Sequence, residues 1–124
     1  MLKSANIFFV TVALVSFATT GFAEEPLKKT VEALFSEKNT LSGKQVQITG
    51  EVVKVNNGIM NKNFLHVQDG TGTVGSNDIT ITSQQTAQIG DKVAVTGRVA
   101  TDVDFGAGYT YPILVEKAEI KKLP

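Results

Sequence analysis

The alternation of apolar and polar residues changes character along the chain. Residues 7 to 18 are almost continuously apolar, interrupted only by Thr11 and Ser16. Pro26 to Lys38 then places Leu27, Val31, Leu34 and Phe35 at helical spacing, with Lys28, Lys29, Glu32 and Glu37 on the other side. That spacing predicts one amphipathic helix, broken by Asn39 to Lys44. From Gln45 onward the period becomes two, which predicts five strands. The first, Gln45 to Val55, keeps Val46, Ile48, Gly50 and Val52 on one face, after which Val53 and Val55 switch parity. Such a switch marks a bulge or bend between Gly50 and Val53. Phe64 to Gln68 and Asp78 to Thr82 alternate about Leu65, Val67, Ile79 and Ile81 and read as a hairpin. Gln84 to Gly90 is a short polar connector, followed by strands over Lys92 to Ala100 and Tyr109 to Ile120.

Composition agrees with this pattern. Of the 37 apolar residues after Ala23, 19 are Val or Ile, and ten glycines separate the short runs; such residues favour strands and turns. The fold class expected is all-β with one N-terminal helix: residues 24 to 44 supply the helix and connector, and residues 45 to 124 a five-stranded Greek-key barrel of the oligonucleotide/oligosaccharide-binding (OB) type. A long first strand that bends can serve both halves of such a barrel. A β-sandwich needs about seven strands.

The apolar N-terminal run changes the picture of charge and location. Met1 to Ser4 carry Lys3, and Thr19 to Ala23 end in small residues at the −3 and −1 positions, the pattern of a secretory signal peptide cleaved after Ala23. Its apolar core of 12 residues (7 to 18) is short of the roughly 20 needed to span a bilayer. The expectation is an exported chain with no membrane span after cleavage, periplasmic in a Gram-negative cell. The whole chain has 12 bases and 12 acids; without Lys3 the remainder has 11 against 12, about −1. There is no cysteine. Composition therefore excludes a disulfide framework, a cysteine-ligated metal, a cysteine nucleophile, and attachment to nucleic acid by bulk positive charge.

Several blocks carry a family likeness: Gly43-Lys44-Gln45-Val46, Gly50 to Asn56, Gly58-Ile59-Met60, Asn63 to Gly72, and Asp104-Phe105-Gly106-Ala107-Gly108-Tyr109-Thr110-Tyr111-Pro112. They resemble the motif blocks of small exported bacterial OB-fold proteins, over nearly all of residues 24 to 124. The resemblance implies the fold, and a label of nucleic-acid or DNA binding that rests on an analogy between folds. Asn61 departs from it, standing where Gly is expected after the Ile-Met pair.

Candidate chemistry gathers at the two loops and the strand face that flank the cleft of an OB fold. Asn56 to Asn63 joins the first two strands with eight residues and carries Asn56, Ile59, Met60 and Lys62; Asp102 to Gly108 joins the last two and carries Asp104 and Phe105. Phe64, His66 and Gln68 project from the second strand opposite Leu65 and Val67, and Tyr109 and Tyr111 open the last strand. These eleven residues are the candidate ligand-binding set. Ile59 and Met60 either cover the barrel end, the favoured reading, or touch a partner, and the aromatics either stack on a base or sugar or fill the barrel mouth.

Gly70-Thr71-Gly72-Thr73-Val74-Gly75 matches G-x-G-x-x-G but lacks the chain for a βαβ unit, so it reads as a hairpin turn. His66 is the only histidine, and Asp69, Asp102 and Asp104 are isolated oxygen donors, so neither a metal nor another cofactor is expected. No nucleophile, base and acid can be arranged with chain support; a hydrolase built on Asp69 or Asp104 is the least favoured reading. The sequence thus points to a non-enzymatic binding or accessory protein whose partner is a protein, peptide or oligosaccharide. The alternative is single-stranded nucleic acid, which wants a basic groove as well as stacked aromatics.

Overall fold

The computed structural model describes residues 25 to 124; the expected signal peptide lies outside them. Among these residues no helix is long and apolar enough to cross a membrane. The chain runs β1 (Leu27–Lys28), α1 (Val31–Ser36), α2 (Lys38–Leu41), β2 (Gln45–Ile59), β3 (Lys62–Gln68), β4 (Ile79–Ser83), β5 (Lys92–Asp104) and β6 (Thr110–Lys122). It is mostly β, and its sheet closes into a ring. The strand order is β1-β2-β3-β4-β6-β5, and β5 returns to pair with β2.

The bend in β2 makes that closure possible. Gln45 to Glu51 pair antiparallel with β5, from Gln45↔Arg98 to Glu51↔Lys92. Glu51 to Ile59 pair with β3, from Glu51↔Gln68 to Ile59↔Lys62. The register slips between Val52↔Val67 and Lys54↔His66, so Val53 is the extra residue that the parity switch announces. Beyond it Val55 packs on the core while Lys54 and Asn56 face outward. Gly50 is required at the bend, because a Cβ there would stand 2.5 Å from the Gln68 carbonyl oxygen and 2.8 Å from Val67 Cγ1. Gly97 is required in β5 for the same reason, its Cβ position lying 2.7 Å from Val115 Cγ1 and 2.9 Å from the Glu116 carbonyl oxygen.

The alternating residues fill the ring. Val46, Ile48, Val52, Leu65, Val67, Ile79, Ile81, Val93, Val95, Val99, Ile113 and Val115 form one buried cluster, which Val31, Leu34 and Leu41 of the helical segment join. That segment departs from the sequence expectation. Helix does not begin at Pro26: Leu27 and Lys28 extend the sheet as β1, parallel to β2 at Val46 and Gln47, and Leu27 stays exposed. Thr30 sets the start, its hydroxyl accepting from the Ala33 N–H. The one expected helix is two: α1 ends at Ser36, Glu37 leaves the helical conformation, and α2 continues past the expected stop at Lys38, drawing Leu41 into the core.

Two further expectations change. The strand count is six rather than five, β1 being the addition. The eight-residue loop from Asn56 to Asn63 is largely strand: β2 and β3 stay paired out to Ile59↔Lys62, leaving Met60 and Asn61 as a two-residue turn with φ of 53° and 64°. Asparagine is depleted in strands because it packs poorly there, but a solvated ribbon needs only backbone pairing. Asn61, where Gly is expected, takes the left-handed conformation that an asparagine tolerates. In the same way β5 extends to Asp104 and shortens the last loop to Phe105 to Tyr109.

Candidate functional site

The outer face of β3 is positioned by register. Phe64 stands between Asn56 of β2 and Thr82 of β4, and His66 between Lys54 and Thr80. The β5–β6 turn folds toward that face. Asp104 Oδ1 accepts from the Gly106 N–H at 2.7 Å, the Phe105 N–H donates to the Tyr109 carbonyl at 2.8 Å, and Gly106, Ala107 and Gly108 all take positive φ. Two of those three are glycine, so the left-handed turn is inexpensive at its ends.

This turn sets an aromatic trio. The Phe64 and Phe105 rings meet edge to face at 5.5 Å and Phe105 and Tyr111 likewise at 5.9 Å, while Phe64 and Tyr111 lie tilted by 32° at 6.4 Å. These are favourable aromatic separations. They also cover Phe64, which is only 5% exposed although it points away from the ring's core. Lys62 lies over the Phe105 ring, its Nζ 5.5 Å from the centroid.

Beside the trio runs an open groove of about 420 Å³ lined by Lys54, Asn56, Ile59, Met60, Phe64, His66, Tyr109 and Tyr111. Seven of the eleven sequence candidates meet there. Lys62 and Phe105 instead line a separate hollow of about 380 Å³ toward Glu116 to Glu119. Asp104 is engaged by its own turn, and Gln68 Nε2 donates to Asp78 Oδ2 at 3.3 Å. Lys54, absent from the eleven sequence candidates, completes the lining; the parity switch at Val53 is the signal that places it. The favoured reading of Ile59 and Met60 is corrected. They do not cover the end of the ring but stand 44% and 45% exposed on the groove wall, next to Tyr109 at 57%.

The groove's polar groups are sparse. His66 Nδ1 lies 2.7 Å from Asp78 Oδ1. A carboxylate only accepts, so Nδ1 donates and Nε2 is the nitrogen left for a ligand. Lys54 takes part in no ion pair among the described residues. The wall is therefore apolar with one uncompensated cation.

Asp69 is removed from the candidate ligands of a cation. Its Oδ2 accepts from the Val31 N–H at 2.9 Å; its Oδ1 accepts from the Thr71 N–H at 3.0 Å and the Thr71 hydroxyl at 2.5 Å. Thr71 Oγ1 in turn accepts from the Glu32 N–H at 3.0 Å. Burial pulls the carboxyl upward, but the Thr71 hydroxyl and the backbone N–H groups together hold it below the usual carboxylate range. With Thr30 capping Ala33, all three N–H groups of the first turn of α1 are satisfied. The loop that matches G-x-G-x-x-G is thus a β3–β4 connection that clamps a helix start, and Gly72 lies too close to the Ser76 carbonyl for any side chain. A further hollow of about 420 Å³ beside this loop is lined by Thr49 to Glu51, Gln68 to Gly70 and Lys92; its charges are already committed, Asp69 to the helix and Lys92 facing Glu51 at 4.0 Å. Among the described residues no group of three or more His, Asp or Glu is arranged to hold a metal ion.

The chain matches no family model and no curated protein. Its fold is similar to that of solved structures. One is described as OBody AM3L09 bound to hen egg-white lysozyme, with a TM-score of 0.51 and 16% identity over 68% of this chain and 85% of that one. Another is described as an aspartyl-tRNA synthetase of Leishmania major Friedlin, with a TM-score of 0.57 and 16% identity over 90% of this chain but 22% of that one. At such identity the likeness is one of fold alone.

Proposed function

We propose that this protein is a non-enzymatic, exported binding module of the OB type, and that its ligand lies in the groove between the β2–β3 ribbon and the β5–β6 turn. The ring order β2-β3-β4-β6-β5, closing back on β2, supports the OB reading. The apolar run before Ala23 supports export. The observation that carries the binding function is the grouping of Ile59, Met60 and Tyr109, all exposed, around one concave surface. Large apolar side chains gathered on a concavity mark recognition sites more often than chance exposure does.

Single-stranded nucleic acid is the second reading, favoured by the unpaired Lys54 next to Tyr109. Against it, one cation neutralises few phosphates, and the edge-to-face packing of Phe105 on both Phe64 and Tyr111 ties these rings to one another rather than presenting them free for stacking.

The test is an NMR titration of the mature chain with three probes in turn: a mixture of short peptides, a mixture of oligosaccharides, and a ten-residue oligothymidylate at low salt. Shifts should concentrate at Lys54, Asn56, Ile59, Met60, Tyr109 and Tyr111 with at least one probe and vanish in Tyr109→Ala. Phe64→Ala is not a usable control, because that side chain is buried in the trio and its loss should cost about 3 kcal/mol of stability. No groove shifts with any probe would overturn the reading.

A further inference from the structure

The groove's own chemistry narrows the ligand class, an inference that rests on the binding function proposed above. We infer that the groove recognises an acidic peptide segment, an apolar side chain entering between Ile59, Met60 and Tyr109 while a neighbouring carboxylate meets Lys54.

Three observations converge on this. The first is charge. The groove-lining groups that can carry a positive charge are Lys54 and His66, no acid lines it, and the imidazole is already held by Asp78. Lys54 is left without an ion-pair partner among the described residues, so the complementary ligand group is an anion. The second is the kind of apolar surface. Sugars lay their C–H faces on flat rings and bases stack on them, whereas flexible aliphatic side chains suit other side chains. Here the wall is Ile59 and Met60, and only Tyr109 offers an exposed ring. Methionine adapts its shape to varied apolar partners and is over-used on surfaces that bind peptides.

The third is backbone strain. Met60 holds φ of 53°, a region in which a side chain costs roughly 1–2 kcal/mol that glycine does not. Gly58, two residues earlier, shows that the segment accommodates glycine. Side chains kept in such a conformation cluster at recognition sites. The groove, near 420 Å³, lies toward the small end of ligand pockets, with room for an anchoring side chain and its neighbours rather than for a long chain.

The experiment pans a displayed library of random heptapeptides on the mature chain and measures the enriched sequences as synthetic peptides by fluorescence polarisation. Enrichment of peptides that pair Asp or Glu with a large apolar residue is expected. Their affinity should fall at least about fivefold in Lys54→Glu at low salt, with NMR shifts at Ile59, Met60 and Tyr109. Lys54 and Tyr109 are exposed, so these variants keep the fold, which a thermal melt checks. Enrichment of basic or uncharged peptides, or affinity indifferent to Lys54→Glu, overturns the inference. So does a groove that binds oligothymidylate or oligosaccharide but enriches no peptide, although the binding function then survives. If no probe of any class touches the groove, both fall together.

Discussion

Removing the Asp69 carboxylate isolates one connection between the β-ring and the helical segment. In Asp69→Ala the Val31 N–H loses its acceptor, and Val31 is fully buried. The Thr71 hydroxyl and N–H lose theirs as well, which frees Thr71 to swing away from the Glu32 N–H that it now satisfies. Replacing a helix-capping acceptor by alanine costs about 0.5–2 kcal/mol. Leaving a buried donor unpaired costs about 1–3 kcal/mol. Because Asp69 is partly exposed, water recovers some of this, and about 2 kcal/mol is the expected loss. For a domain of this size that corresponds to a fall of roughly 8–16 °C in Tm. Asp69→Asn, which keeps one acceptor oxygen but no charge, should lose about half as much.

The assay is urea unfolding followed by far-ultraviolet circular dichroism, from pH 7 down to pH 2.5. The folded carboxyl titrates below its unfolded value, so its contribution is fully present above the ordinary carboxylate range. It is lost as pH falls through the lower, folded value. The gap between wild type and Asp69→Asn should therefore be widest at neutral pH and close in acid. A gap under about 0.5 kcal/mol at pH 7, or one that does not change with pH, would refute the clamp.

Two further perturbations test the packing and the groove. Gly97→Ala forces a methyl group against Val115 Cγ1 and the backbone of Glu116 and Ala118; a loss of about 2–3 kcal/mol is expected in chemical denaturation, and an unchanged midpoint would show that β5 and β6 can part there. Met60→Gly relieves the left-handed strain at the ribbon tip while loosening the unfolded chain, so stability should rise by about 0.5–1 kcal/mol in a thermal melt. Ligand affinity should fall in the same variant, because a wall of the groove is gone; higher stability with unchanged affinity would remove Met60 from the site.

What the sequence makes legible follows from the range of the forces involved. Alternation reports burial on one face, which is a local property, so Leu65, Val67, Ile79, Ile81, Val93 and Val95 can be placed inside from their spacing, and the parity switch narrows the bulge to Gly50 to Val53. Alternation cannot report whether the opposite face is covered. Phe64 and His66 share that face and the same pattern, yet Phe64 is buried because Phe105 and Tyr111, more than forty positions away along the chain, swing over it. The start of α1 is set partly by Thr30, a local signal that a capping pattern can find. It is set equally by Asp69, 38 residues away, which no periodicity contains. The same limit explains the groove. Its exposed wall, Ile59 and Met60, comes from a connection that looks like a loop because asparagine and glycine are poor strand formers, but backbone pairing out to Ile59↔Lys62 stiffens it, and three successive positive-φ residues set the turn that leads into Tyr109. A stiff ribbon holds Ile59 and Met60 out in water, where a slack loop would let them collapse onto the core. The exposure of Ile59 and Met60 is thus a product of hydrogen bonds between backbones, an interaction whose partners a sequence does not name.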